Sequence, residues 1–470
     1  MLVNRLNEKL IDSRSASQYG FRGGRSTEDA WCTVKECVNG TACKYVLGIF
    51  VDFKGAFDSL RWDRLLVHLR DSGCMEMGVW YSYFKERKMR MKDAREEVWK
   101  DITRGCPQGS ICGPAVWNMM MGVLLNELNE SGCKVIAYAD DLLLMIEGNS
   151  RRMLEENGST WMRMVIDWGE RMGVSVFDTK TECMLLKGIL SRAPSVRMGE
   201  SGMKYVKEVK YLGVSVGERM SFRPQLERMR EKITRVAGSM SRILRKEWGL
   251  RRRATSIIYK GLLFPCVSYG ASVWKPVLRF QYGRDLLNRC QRVALYACLS
   301  VCRTVSTDAM QILVGEAPWD LECERKAYTY MLKKGVRMGE NDWMTTDEVE
   351  GRTLKECLEY VREQIVRKWQ ERWDSSENGR VTYGYIKNVK FVSENKWFSF
   401  GLNPGFLLTG HGYNYPSIFK GPTDEARLPA QWSSPATIWR ELARATPLEM
   451  VNFWRRQPPL AQETVEIPPR

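Results

Sequence analysis

The chain has 470 residues, 44% of them hydrophobic, with 72 Lys/Arg against 56 Asp/Glu and a net charge of +16. At ~150 residues per domain this suggests two to four compact units, and the hydrophobic content is ample for a core. No run approaches the ~20 apolar residues of a membrane span, and the first residues, Met1-Leu2-Val3-Asn4-Arg5, are not a secretory leader.

In chain order, Gln18-Tyr19-Gly20-Phe21-Arg22-Gly23-Gly24-Arg25-Ser26-Thr27 comes first, Gly-rich and carrying two arginines. Tyr45 to Val51 is an unbroken apolar run that reads as a buried strand and delivers Asp52 at its end. Phe53-Lys54-Gly55-Ala56-Phe57-Asp58 then leads into Ser59 to Leu66, where apolar positions return at helical spacing. Arg104 to Pro114 is a Gly/Pro-rich turn opening a helix from Ala115 to Leu128. A helix start after such a turn presents free N–H groups and a positive dipole end, which suits phosphate.

Tyr138-Ala139-Asp140-Asp141 stands between the apolar runs Lys134–Ala137 and Leu142–Ile146. Two strand-like runs meeting at Asp-Asp predict a hairpin whose turn carries both acids. Two such charges about 4 Å apart repel by roughly 4 kcal/mol at an effective dielectric near 20, and Mg²⁺ with oxygen ligands is the natural counter-charge. Taken alone, the pair reads equally well as a solvated acidic tip. Asp52, 88 residues before Asp140, adds a third acid at a strand end, so a shared site has to be assembled by the fold.

Residues 221–260 hold 12 Lys/Arg against three Glu. Leu226, Met229, Ile233, Val236, Met240 and Ile243 recur at spacings of 3 and 4, an amphipathic helix. Beside that apolar stripe, Arg228, Lys232, Arg235, Arg242 and Lys246 form a basic one within about 80° of arc at 100° per residue. Residues 301–400 are helical by pattern, with a charged surface. The segment 401–470 holds 10 of the 17 prolines, which argues against a regular packed domain. The 14 scattered cysteines read as reduced core residues of an intracellular protein.

Together these motifs resemble the reverse transcriptase of non-LTR, LINE-like retrotransposons, of the arthropod ribosomal-DNA-inserting type. The resemblance is carried by Gln18–Thr27, Val51–Asp58, Gly105–Ser110, Tyr138–Asp141, Lys180-Thr181 and Tyr211-Leu212-Gly213, in the family's order. Arg303–Ala309 and Pro318–Leu321 resemble the region beyond the polymerase. The fold implied is an α+β right-hand polymerase, an antiparallel palm sheet packed on helices and followed by a mainly helical C-terminal region. Its expected divisions are partial fingers over 1–45, palm over 46–216 with inserted finger elements, and helical thumb over 217–300. A helical region over 301–400 and a proline-rich tail over 401–470 follow.

The activity implied is RNA-directed DNA polymerisation by two-metal nucleotidyl transfer, using Mg²⁺ or Mn²⁺, an RNA template, a DNA primer or nicked target DNA, and deoxynucleoside triphosphates. Asp52, Asp140 and Asp141 are the expected metal ligands. Phe53, Ala56, Phe57, Gln108 and Gly109 would meet the nucleotide, with Phe57 as the bulky residue that excludes a ribose 2′-hydroxyl. Lys180 would protonate the leaving pyrophosphate, and Tyr211, Leu212 and Gly213 would grip the primer. Arg22, Arg25 and the basic stripe would hold nucleic-acid backbone, although a basic stripe is ordinarily just a solvated face.

The resemblance also implies action in the nucleus and an endonuclease elsewhere in the parent polyprotein. The family's Arg-Pro-Ile segment is absent. Gly410-His411-Gly412 resembles the lead-in to a zinc knuckle, but the last cysteine is Cys357, so no zinc is expected there. Two alternatives stand beside this reading: a group II intron-like or retroviral reverse transcriptase, and an inactive nucleic-acid-binding relic.

Overall fold

The structure is a computed structural model. It describes residues 15–394, except 72, 75, 94–95, 107–108, 200, 244–256, 300, 302, 337, 339–341 and 346–347, together with Thr409. Gln108, Lys246, the side chain of Arg242 and nearly all of the proline-rich segment lie outside the described residues. The chain divides into two compact units: Met1–Lys232 with Val267–Leu286 and Lys326–Met331, and the remainder.

In the first unit, α1 (Thr27–Gly40) starts on a capping box in which Ser26 and Asp29 satisfy each other's backbone N–H groups. The strand β1 (Tyr45–Val51) is buried at all seven positions, as its unbroken apolar sequence requires of a central strand. β2 (Phe53–Lys54), α2 (Ala56–Ser59), α3 (Trp62–Asp71) and α4 (Met77–Phe84) follow, then an exposed ribbon of β3 (Lys88–Lys92) and β4 (Glu97–Asp101).

The long α5 (Gly113–Glu130) precedes β5 (Lys134–Tyr138), β6 (Asp141–Gly148) and α6 (Arg151–Met172). β7 (Ser175–Val176), β8 (Glu182–Lys187), β9 (Arg197–Met198), β10 (Ser201–Gly202) and β11 (Lys204–Tyr205) come next. The hairpin β12 (Glu208–Tyr211) and β13 (Val214–Gly217) leads to α7 (Arg223–Ile243).

The main sheet has the order β11-β8-β1-β6-β5, antiparallel throughout except for the edge pair β11–β8. Its apolar face packs on α5 and α6 through Trp117, Met120, Leu124, Met162, Val165 and Trp168, all essentially inaccessible to solvent. This core fixes the end of the sheet where the acids lie. No disulfide joins the twelve cysteines whose side chains are described. Along α7, Leu226, Met229, Ile233 and Met240 are buried as the periodicity predicts, but Ala237 takes the buried place expected of Val236, which is half-buried. A helix of 3.6 residues per turn drifts off a strict 3-and-4 pattern, and the smaller side chain absorbs the drift.

The second unit is helical, with Thr307–Val314, Leu354–Ser375, Arg380–Tyr385 and Val389–Glu394 packing Ile312, Ile365, Trp369, Trp373, Val389 and Val392 together. The Arg303–Ala309 segment acts here as a helix start. Ser306 caps the Ala309 N–H, and Arg292 donates to the carbonyls of Val305 and Arg303. Asp320, 3% exposed, receives both prongs of Arg372 at 3.0 and 2.6 Å, a charge-assisted fork that satisfies a buried carboxylate. Among the described residues no helix is long and apolar enough to cross a membrane.

Candidate active site

Strand register brings the acids together. β1 pairs with β6 as far as Val51 opposite Leu142, so Asp52 directly follows the last paired residue of β1 and Asp141 directly precedes its partner on β6. The two acids line one cavity, and Asp141 feels the charge of Asp52. β5 pairs with β6 up to Tyr138 opposite Asp141, leaving Ala139 and Asp140 as the two-residue turn. Lys180 sits in the turn between β7 and β8, its N–H on the Phe177 carbonyl, and its Nζ lies 3.7 Å from Asp52 Oδ2. The backbone N–H of Asp52 donates to Thr181 Oγ1 at 3.3 Å.

The electrostatics follow from this crowding. Burial, and then the charge of Asp52, raise the Asp140 carboxyl above its ordinary range. Asp141 keeps solvent access at the cavity mouth, yet burial followed by the charges of Asp140 and Asp52 pushes it up to about 6. The hydroxyl of Tyr211 is buried with no hydrogen-bond partner among the described residues, and it feels Asp141. These are hard oxygen donors with excess negative charge, a set that fits a hard divalent cation. Among the described residues, no three His, Cys, Asp or Glu side chains converge into a ready-made metal cage.

The turn carrying Asp140 is held from outside its own hairpin. Ala139 has a φ of 58°, at the first of the two loop residues, a place usually given to glycine. Gln18, 2% exposed, brackets it: Oε1 accepts from the N–H groups of Ala139 at 3.1 Å and Gly20 at 2.9 Å, and Nε2 donates to the Ala139 carbonyl at 3.3 Å. Trp117 Nε1 donates to the same carbonyl at 2.9 Å. Residues 17–19 run alongside β5, with Tyr19 N–H on the Ala137 carbonyl and Ala137 N–H on the Ser17 carbonyl. Gly20 has no room for a side chain, since a Cβ there would lie 2.2 Å from Ala139 N.

The remaining predicted residues fall in distinct settings. Phe57 is half-buried between Phe21 and Trp117, at ring distances of 5.9 and 4.9 Å. Phe53 and Ala56 are core residues, Phe53 packing edge-on to Trp168 at 5.8 Å. Gly109 has a φ of 77° beside the undescribed Gln108. Arg22 and Arg25 donate to the carbonyls of Ser15, Ala16 and Gln18, bracing the loop that holds Ala139. Leu212 and Gly213, with φ of 46° and 78°, form the tight turn between β12 and β13. That turn is tied by Tyr269, whose hydroxyl donates to the Leu212 carbonyl at 3.1 Å. The ring of Tyr269 stands 2.9 Å from where a Cβ on Gly213 would sit.

A cavity of about 640 Å³ runs from Asp52, Asp141 and Lys180 along Lys204, Lys207 and Lys210 to Arg228. Lys204 pairs with Glu182 and Arg228 with Glu208. Lys207 and Lys210 have no carboxylate partner among the described residues. Lys232 and Arg235 are exposed on α7. The motif analysis missed three residues: Gln18 as the clamp on the turn, Trp117 beside it and Tyr269 behind the second turn. Only Gln18 stood inside a recognisable motif.

Residues 1–216 match the family described as "Reverse transcriptase (RNA-dependent DNA polymerase)", so the sheet and its acids belong to a reverse-transcriptase domain. Over 415 residues the chain is 47% identical to the Retrovirus-related Pol polyprotein from type-1 retrotransposable element R1 of Bradysia coprophila, covering 88% of this chain and 41% of that protein. It is 40% identical over 332 residues to the R1 Pol polyprotein of Nasonia vitripennis, covering 69% of this chain and 98% of that protein. The chain belongs to the Pol family of type-1 R1 retrotransposable elements, which are non-LTR elements. It spans less than half the length of the Bradysia relative. Among solved structures, a telomerase of Candida tropicalis in complex with a telomeric RNA fragment gives a TM-score of 0.37 at 11% identity, over 77% of this chain and 56% of that one. That likeness is too low to bear on function.

Proposed function

We propose that this chain is the DNA-synthesising part of an R1 element, an RNA-directed DNA polymerase that extends a DNA primer on an RNA template. The observation carrying this reading is the meeting of Asp52 and Asp141 where the β1–β6 pairing ends, next to Asp140 and Lys180. Asp52, Asp140 and Asp141 would hold two Mg²⁺ ions, or Mn²⁺. When bound, such ions acidify the primer 3′-hydroxyl and neutralise charge building on the phosphates.

The chain's own groups do the rest. The three carboxylates fix where positive charge can sit, and the β5–β6 turn sets their direction. Lys180, exposed and 3.7 Å from Asp52, is suited to give a proton to the departing pyrophosphate. Phe57, wedged between two rings, presents a fixed edge where a ribose 2′-hydroxyl would fall. The turn of Leu212 and Gly213 holds the primer end. Lys207 and Lys210 contact its phosphates, as do Arg228 and Lys232 on α7. The reaction takes place in the nucleus, at nicked target DNA.

The test is primer extension by this chain on RNA with deoxynucleotides and Mg²⁺. The reading expects templated extension on RNA. Binding of the primer–template without any extension would contradict it and favour a relic that only binds.

A further inference from the structure

We propose that Gln18 is a positioning residue for catalysis, aiming Asp140 and Asp141 by locking the two peptide planes that flank Ala139. The proposal rests on the polymerase reading given above.

A residue's φ and ψ are set by the orientations of the peptide before it and the peptide after it. Gln18 binds both: it accepts from the N–H of the first and donates to the C=O of the second. A carboxamide is the side-chain group that offers a donor and an acceptor side by side on one plane. Its orientation is forced, because the N–H groups of Ala139 and Gly20 converge on one atom, which has to be the oxygen.

The turn needs such a clamp. A non-glycine residue held in the left-handed region costs on the order of 1–3 kcal/mol and persists only where its surroundings over-determine it. Asp140 and Asp141 follow directly, so relaxation of Ala139 swings both carboxylates relative to Asp52. Trp117 supplies a second bond to the Ala139 carbonyl but leaves the N–H to Gln18 alone among the contacts seen. The absence of a Cβ at Gly20 lets the clamp loop approach the turn closely, and the inward-facing donors of Arg22 and Arg25 hold it from behind. Gln18 touches neither substrate nor reacting atoms in this arrangement. Its effect passes through the backbone of the turn.

Two variants of the whole chain test this. Gln18→Met keeps the length and loses all three bonds. Gln18→Glu keeps the two accepted bonds and loses the donated one. Ser17→Ala, on an exposed hydroxyl bonded to Asn129, is the loop control. The readouts are kcat and KM in primer extension, duplex affinity, Mn²⁺ affinity by electron paramagnetic resonance, and amide hydrogen exchange at Ala139.

Gln18→Met is expected to lower kcat by about 10²-fold, the scale of a 1 Å misplacement, with KM for the nucleotide and duplex affinity within about 3-fold of wild type. Ala139 exchange should speed up and Mn²⁺ affinity fall. Gln18→Glu should keep Ala139 protected and lie between Gln18→Met and wild type in kcat. Unchanged kcat and exchange in Gln18→Met would overturn the proposal, as would equal losses in KM and duplex affinity. If Gln18→Met does not fold, Gln18→Glu decides by the same split. If the wild-type chain extends no primer, the polymerase reading fails, while the exchange and Mn²⁺ arms still test the clamp.

Discussion

Asp141 carries the clearest signature at the scale of single residues. Its carboxyl is pushed up to about 6 by burial and then by Asp140 and Asp52, whereas an unfolded chain ionises it near ~3.9. An acid whose pKa is raised by folding costs stability above the folded value, and that cost disappears below the unfolded one. Metal-free Asp141→Asn should therefore melt higher than wild type at pH 7.5, with the difference shrinking between pH 6 and 4. If Asp141 holds Mg²⁺ as proposed, the ion competes with the same proton, so it should raise the wild-type melting temperature more at pH 7.5 than at pH 5.5 and do little for Asp141→Asn. Melting curves at the two pH values, with and without Mg²⁺, check both; an advantage for Asn that ignores pH would contradict the charge crowding.

Phe57 makes a second residue-scale prediction. Phe57→Val should relax discrimination against ribonucleotides by about 10- to 200-fold, read from the kcat/KM ratio for dNTP and rNTP. The three acids were legible in the sequence because each ends a strongly apolar run. The register that brings Asp52 and Asp141 to the same end of the sheet was not, since it depends on pairing between segments far apart in sequence.

At the scale of elements, two hairpin turns are held by residues distant in sequence. The β5–β6 turn rests on Gln18 and Trp117, and the β12–β13 turn rests on Tyr269. Gly20→Ala would drive a Cβ into the backbone of Ala139, and Gly213→Ala would combine a φ of 78° with a clash against Tyr269. Each should destabilise by about 1–3 kcal/mol in a denaturant titration. A control, Gly238→Ala, has open space on an exposed helix face and should be neutral or slightly stabilising. Several elements were readable from the sequence, among them β1, α5, α7 and the Asp-Asp hairpin, whereas α1, α6 and the β3–β4 ribbon were not read. Tyr269 was not, because nothing marks a tyrosine in an apolar stretch as the support of a turn 57 residues earlier. Phe53 and Ala56 sit in a motif associated with nucleotide contact, yet their side chains are core; a motif records which residues recur together, not which atoms face the substrate.

At the scale of the molecule, the net charge is +16, and one cavity leads from the acids past Lys204, Lys207 and Lys210 to Arg228. Since Lys207 and Lys210 lack acidic partners among the described residues, they are cations suited to displace counterions from a bound strand. Lys207→Ala with Lys210→Ala should lower the slope of log affinity against log salt by about 2, measured by fluorescence anisotropy; an unchanged slope would remove this wall from the binding surface. The sequence located the densest basic stretch, 221–260, but not Lys207 and Lys210, which lie outside it and are brought beside the acids only by the fold.

The central claim is that Asp52, Asp140 and Asp141 form one metal-dependent site. Single-turnover extension of a primer on RNA by Asp52→Asn, Asp140→Asn and Asp141→Asn, with duplex affinity measured in parallel, tests it most directly. The structure predicts a fall of ~10²-fold or more for Asp52→Asn and Asp140→Asn, a smaller fall for Asp141→Asn, and duplex affinity within a few-fold of wild type for all three. An Asp140→Asn variant that extends the primer at the wild-type rate would contradict the account.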